Sequence, residues 1–218
     1  MAARKPSGKK IIVRMSPEER RSQILDSARK LFASGGYYQT QISDIQKESD
    51  IARGTVYQYF KSKDDIFTTI LEDLFIKWKT ALSDTPDPGS EEYRSGIKFF
   101  RYKIKNSFEF FADNPDYCNL LLKIGLGLGE NFDILISRFD YQIVELAKKY
   151  ITVGIKLKRI KHDTDVELVA NLIGGAFMRM AYYYGVTRKN KGSIDIDKLS
   201  ERFANTFSYG IFMEESES

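Results

Sequence analysis

The sequence predicts an all-α fold: an N-terminal three-helix helix-turn-helix unit, then a larger helical region, about nine helices in all. Three observations predict it. Apolar residues recur every three or four positions through most of the chain. Helix-start signals stand where these runs begin. No stretch alternates apolar and polar residues convincingly enough to be a strand.

Ser16-Pro17-Glu18-Glu19 opens the first helix, with Ser at the cap, Pro at the first helical position and Glu three residues on. Ile24, Leu25, Ala28, Leu31 and Phe32 then form its apolar face, and Gly35-Gly36 ends it where a left-handed residue is wanted. Thr40 is placed to cap a second helix whose inner face is Ile42 and Ile45. Ser49-Asp50 makes the turn, Ile51 plugs it, and a third helix runs from about Arg53 to Phe60. Ser62 caps a fourth helix, with Asp64 and Asp65 in a first turn that favours negative charge. Its apolar face is Ile66, Phe67, Ile70, Leu71, Leu74 and Trp78. The Pro- and Gly-containing stretch 83–90 is a loop. Helices are expected beyond it near 91–113, 115–128, 131–159, 164–187 and 195–213, with Pro115 in the first turn of its helix.

Composition narrows the function classes. The chain has 218 residues, 42% hydrophobic and 13% aromatic, enough for a real core. A single cysteine, Cys118, excludes an internal disulfide and fits a reducing interior. No run of 18 apolar residues offers a membrane span, and the basic N-terminus lacks the apolar stretch of a secretory signal. The net charge of +4 is unevenly spread. Residues 1–63 hold 13 Lys/Arg against 6 Asp/Glu, whereas 64–218 hold 21 against 24. A basic end is the electrostatic footprint of a nucleic-acid partner. The sequence divides into a basic arm, 1–15, a helix-turn-helix domain, 16–63, and a regulatory and dimerisation domain, 64–218, with the helix over 63–82 connecting them.

Within the basic end, Thr40–Lys63 has the division of labour that a DNA-reading hairpin needs. Val56 and Phe60 are spaced for the core, which leaves Arg53, Thr55, Tyr57, Gln58 and Tyr59 for bases and phosphates. Thr40 sits where a hydroxyl and free backbone N–H groups meet a phosphate. Arg53 can pair with guanine, Gln58 with adenine, and Thr55 offers a methyl and a hydroxyl to base edges. Gly54 permits close backbone approach. The hydroxyls of Tyr57 and Tyr59 and the ammonium of Lys63 suit phosphates.

The stretch from Arg21 to Leu71 resembles the N-terminal domain of the tetracycline-repressor (TetR) family. The resemblance is carried by Ile24-Leu25, Ala28, Leu31-Phe32, Gly36-Tyr37, Thr40, Ile42, Asp44-Ile45, Gly54-Thr55-Val56-Tyr57, Tyr59-Phe60 and Ser62-Lys63-Asp64-Asp65-Ile66. It implies a homodimer that binds a palindromic double-stranded DNA operator, usually as a repressor released by a small-molecule effector, in a prokaryotic cytoplasm on the nucleoid. No cofactor, metal or membrane partner is expected, given the single histidine and the lack of a long apolar run. Gln41 stands where a second Thr is usual, Gln46 where Ala is usual, Asp50 where Gly is usual, and Ala52 where a Ser or Thr cap is usual. Gln41 is therefore a DNA-contact candidate of this chain's own.

The later helices carry weaker signals. Val166, Ala170, Ile173 and Phe177 on one helix, and Leu199, Phe203 and Phe207 on the next, are the dimer-interface candidates, with Gly174, Gly175 and Ala176 allowing close approach. Tyr102, Phe111, Tyr117, Phe139 and Tyr183 are weak candidates for lining an effector pocket. An enzymatic alternative has little to stand on. His162 is the only histidine, no Gly-x-Ser-x-Gly elbow occurs, and Gly125-Leu-Gly-Leu-Gly129 lacks the strand and spacing of a dinucleotide fingerprint. A DNA-binding architectural protein without an effector shares every N-terminal feature.

Overall fold

The computed structural model describes residues 15–124, 130–187 and 194–209. These residues form ten α-helices and no strand. The basic arm, the Gly125–Gly129 segment and the last residues of the chain lie outside them.

α1 (Pro17–Gly35) starts on the predicted capping box. The Ser16 hydroxyl accepts from the Glu19 N–H, and the Glu19 carboxylate accepts from the Ser16 N–H. It ends at Gly36, whose φ of 89° closes a bond from its own N–H to the Phe32 carbonyl. α2 (Ile42–Ser49) and α3 (Arg53–Tyr59) follow. α4 (Lys63–Ser83) is capped by the Ser62 hydroxyl, which accepts from the Asp65 N–H.

The stretch expected as one helix over 91–113 divides into α5 (Glu91–Arg94) and α6 (Gly96–Asp113). Ser95 is the cause. Its backbone is extended, its N–H closes α5 on the Glu91 carbonyl, and its hydroxyl accepts from the Lys98 N–H to open α6. α7 (Pro115–Cys118) runs into a π-helical stretch, Asn119–Ile124. α8 (Glu130–Lys156), α9 (Val166–Tyr182) with a π-helical continuation (Tyr183–Thr187), and α10 (Ile196–Tyr209) complete the described fold.

The two π-helical stretches pack on each other. A Cβ at Gly185 would stand 2.8 Å from the Cys118 sulfur, so only glycine fits there. Burial pushes the Cys118 thiol up to about 12, which makes it an inert core group and not a thiolate.

One continuous apolar cluster runs from Ile24, Phe32, Ile45 and Val56 through the inner face of α4 to Phe108, Phe177 and Phe203. α1–α4 therefore share their core with the helices beyond. α10 lies on α6, and α8 lies on α9. At Gly174 an added Cβ would meet Ile143 and Val144 at 3.4 Å, so this glycine draws α9 onto α8 of its own chain.

That packing sets most of the dimer-interface candidates on the inner sides of α9 and α10. Ala170, Phe177 and Phe203 are buried inside the subunit, and Val166, Ile173, Leu199 and Phe207 pack against its clusters. The outward face of α9 carries Leu168 and Leu172, each more than half exposed, and Gly175, whose Cβ position is open space.

The C-terminus of α4 is closed by a buried cation. The Lys103 ammonium donates to the carbonyls of Leu82 (2.7 Å) and Asp84 (2.5 Å) and lies 5.2 Å and 5.4 Å from the ring centres of Phe99 and Tyr150. Burial lowers its pKa, against the pull of Asp84. Lys103→Met keeps the apolar stem and strands two carbonyls. It should cost about 1–3 kcal/mol, read as a lower urea midpoint at unchanged m-value. An unchanged midpoint would show that water replaces the ammonium.

Candidate nucleic-acid interface

The helix-turn-helix is assembled from local preferences and one long-range clamp. α2 begins at Gln41, not Thr40. The Gln41 N–H donates to the Asp44 carboxylate at 2.9 Å, so the second helix is capped from within. The Thr40 hydroxyl instead donates back to the Gly36 carbonyl at 2.8 Å, and the residue is 5% exposed. The expected Thr40 cap is thus replaced by a turn bond that holds the α1–α2 connection.

Asp50 takes the left-handed conformation (φ 50°, ψ 39°) in which glycine is usual, and ends α2. The Gln23 amide on α1 reaches the Ser49 carbonyl at 2.8 Å and fixes the turn to the first helix. No side chain caps α3 at Ala52. Its missing cap leaves the first turn of α3 without the ~1 kcal/mol that a Ser or Thr cap typically supplies. The helix is held by Val56 and Phe60 in the core instead.

The outer side of α3 is polar and open. Arg53, Gly54 and Gln58 are exposed, Tyr57 is 47% exposed, and Thr55 and Tyr59 are half-buried. Gly54 has no atom within 4 Å of its Cβ position, so the space above it is free. The Arg53 guanidinium rests 5.9 Å from the Tyr57 ring centre, one turn along the helix. Tyr59 packs against the core with its ring. Gln41 is exposed at the start of α2. The fold therefore brings Gln41, Arg53, Gly54, Thr55, Tyr57 and Gln58 to the surface and keeps Thr40 beneath it.

Lys63 has a role that its sequence position did not reveal. Its ammonium donates to the carbonyls of Tyr37 (2.9 Å) and Thr40 (3.0 Å) and sits 4.2 Å from the Tyr37 ring centre. The Tyr37 hydroxyl donates to the neighbouring Asp64 carboxylate. Burial, with the Asp64 carboxylate beside it, holds the Tyr37 phenol above its ordinary value. The start of α4 is thereby bound to both ends of the α1–α2 connection.

A second polar cluster joins α1 and α4 to the helices beyond. Arg29 on α1 pairs with Asp116 at 3.3 Å and lies 5.1 Å from the Tyr117 ring centre. The Tyr117 hydroxyl donates to Asp73 (3.0 Å) and accepts from Lys77 (3.2 Å), and Lys77 pairs with Asp73 at 2.7 Å. Burial, partly offset by Lys77, raises the Tyr117 phenol above its ordinary value. Tyr117 thus belongs to this seam.

The other aromatic candidates are dispersed. The Tyr102 hydroxyl donates to the Asp84 carboxylate, and Tyr183 is 44% exposed at the end of α9. Phe111 and Phe139 share one cluster, linked through Phe177 and Trp78.

Comparison with known proteins agrees with this geometry. A family model described as "Bacterial regulatory proteins, tetR family" matches residues 24–70, which hold α2, α3 and the Tyr37–Lys63 clamp. The chain is a TetR-like transcriptional regulator. It is 27% identical over 160 residues to the fatty acid metabolism regulator protein of Bacillus subtilis (strain 168), covering 70% of this chain and 77% of that one. It is 26% identical over 198 residues to the transcriptional repressor KstR2 of Rhodococcus jostii (strain RHA1), covering 88% and 91%. Among solved structures, FadR from Bacillus subtilis in complex with stearoyl-CoA superposes with a TM-score of 0.72 at 22% identity, over 88% of this chain and 99% of that one. Proteins of this kind bind DNA, and in this TetR-like chain the clamp and seam tie the open side of α3 to the other helices.

Lys63→Ala tests the clamp. Two of the three ammonium N–H groups are committed to carbonyls, which leaves one for a phosphate. The substitution should destabilise the protein by about 1–3 kcal/mol because two part-buried carbonyls lose their donor. If the third N–H meets phosphate, the slope of log K against log salt should also fall by about one unit. Unchanged stability would remove the clamp, and an unchanged slope would remove the phosphate contact.

Proposed function

We propose that this TetR-like regulator acts as a homodimeric repressor on a palindromic operator and leaves it when a small acyl-bearing effector binds the helices beyond α4. The observation that carries the DNA half of this reading is the open polar side of α3 above a fully buried Val56. Arg53 at the start of the helix and Gln58 five residues later are side chains that pair bidentately with guanine and adenine in the major groove. Gln41, Thr55 and Tyr57 flank them, and Lys63 adds charge at the edge. Thr40 contributes by shaping the loop, its backbone carbonyl being held by Lys63.

The dimer half rests on the outward face of α9. Leu168, Leu172 and Gly175 follow helical spacing, and Tyr141 on α8 is 63% exposed. α8 and α9 lie side by side, so two copies facing each other there would form a four-helix interface. The effector half draws on the stearoyl-CoA bound by FadR from Bacillus subtilis and on the aromatic cluster of Phe108, Phe111, Phe139 and Phe177. A soluble regulator of this kind works in the cytoplasm.

Selection of bound sequences from random DNA tests the whole reading. It should return a palindrome whose half-sites lie about one helical turn, roughly 34–36 Å, or a multiple of it apart. Recovery of no preferred sequence would favour a DNA-binding architectural protein. Arg53→Ala should cost about 1–3 kcal/mol at the preferred base pair and flatten the preference there; an unaltered preference would remove Arg53 from base reading. The double substitution Leu168→Glu, Leu172→Glu should yield a folded monomer in sedimentation at micromolar concentration with much weakened operator binding. A persistent dimer would place the interface elsewhere.

A further inference from the structure

Among the described residues, two buried polar atoms on α4 and α8 have no hydrogen-bond partner. The indole N–H of Trp78 on α4 is one, in a residue that is 3% exposed. The side-chain carbonyl oxygen of Gln142 on α8 is the other. Buried polar groups in folded proteins are almost always hydrogen-bonded, so an unmatched donor and an unmatched acceptor on facing helices call for a reason. α4 and α8 are in contact, and the Trp78 ring lies 5.7 Å from that of Phe139, one turn before Gln142. Phe75 and Phe177 complete the aromatic surround, 5.9 Å and 6.2 Å from the Trp78 ring.

We propose that Trp78 Nε1 and Gln142 Oε1 are the two polar handles of the effector site, and that they take the neutral carbonyl and the N–H of an apolar acyl compound, a thioester or an amide, in preference to a free carboxylate. This rests on the effector reading above and specifies its chemistry. The indole N–H donates to a carbonyl oxygen, and the Gln142 oxygen accepts from an amide N–H, which a fatty amide or the amides of an acyl-CoA's pantetheine arm provide. The aromatic rings take the hydrocarbon. Neither handle is charged, and the nearby Lys103 ammonium is occupied by the Leu82 and Asp84 carbonyls. Among the described residues no cation bonds to either handle, so a carboxylate would enter without a counter-charge from them.

Trp78 is the chain's single tryptophan, so its emission reports on the site directly. The experiment titrates dodecanoyl-CoA, dodecanamide and dodecanoate into the full-length protein, with and without DNA, following tryptophan emission and calorimetry. The thioester and the amide should bind, shift the emission and release DNA, with dodecanoate at least about tenfold weaker, as expected when a charge is buried unpaired. Trp78→Phe keeps an aromatic ring and removes the N–H; Gln142→Leu removes the acceptor. Each should lower affinity by about tenfold or more while the ligand-free melting temperature stays level or rises, because an unmet polar atom has been removed.

Three results would overturn the proposal. Binding and DNA release with unmoved emission and undiminished affinity in both variants would leave the effector reading standing and remove these handles. Loss of binding accompanied by a lower ligand-free melting temperature in both variants would make the two groups structural. No binding or DNA release by any of the three probes would defeat the acyl-effector reading itself.

Discussion

The Lys63 ammonium, held between the Tyr37 and Thr40 carbonyls, is the constraint on which the DNA-binding face depends. The α2–turn–α3 hairpin is short: eight residues in α2 and seven in α3. Isolated helices of that length are marginal, so their orientation must come from what they are fastened to. Ile45, Val56 and Phe60 supply the apolar fastening. The ammonium supplies the directional part, joining both ends of the α1–α2 connection to the start of α4 through a part-buried cation, a ring and two carbonyls. The Tyr37–Asp64 hydrogen bond doubles that link. If α4 moves, the connection that sets the height of α2 and α3 must move with it.

Much of this was legible because its causes are local. Ser16 and Ser62 announce their helices through bonds that span three residues. The inner and outer positions of α3 follow from spacing alone, and Asp50 was recognisable as a left-handed turn residue. Thr40 was misread because a threonine before an apolar run can bond forward or back. The Gly36 carbonyl was the stronger claimant, while Asp44 took over the cap. Lys63 was read as a phosphate contact because its partners lie 23 and 26 residues away, beyond any periodicity.

The dimer candidates were hard to place for a different reason. α9 is apolar on more than one side, with Val166, Val169, Ala170 and Ile173 inward and Leu168 and Leu172 outward. Hydrophobic spacing identifies such a helix but does not say which side its own subunit takes. Gly174 and Gly175 look equivalent in sequence, yet the first touches α8 and the second faces open space. The aromatic candidates met the same difficulty. Tyr117 and Phe111 are both buried, but one has an ion pair within reach of its hydroxyl and the other has only rings.

α4 is the one helix that meets every one of these features. Lys63 stands at its start, Asp73 and Lys77 at the seam with Arg29 and Tyr117, Trp78 against the aromatic cluster, and Leu82 at the end held by Lys103. Trp78 and Lys77 are adjacent in sequence, so a ligand that tilts the indole also displaces the lysine that ties Tyr117. Such a ligand changes DNA affinity only by as much as it prefers one posture of α4 over another. The seam sets the scale of that preference. Its ion pairs are partly exposed, and pairs of that kind are each worth little, so they add only a light bias to a posture that the buried inner face of α4 already holds. A small shift of α4 that breaks the seam lies within the roughly 1–3 kcal/mol that allosteric coupling typically supplies, and Lys63 links such a shift to the α1–α2 connection.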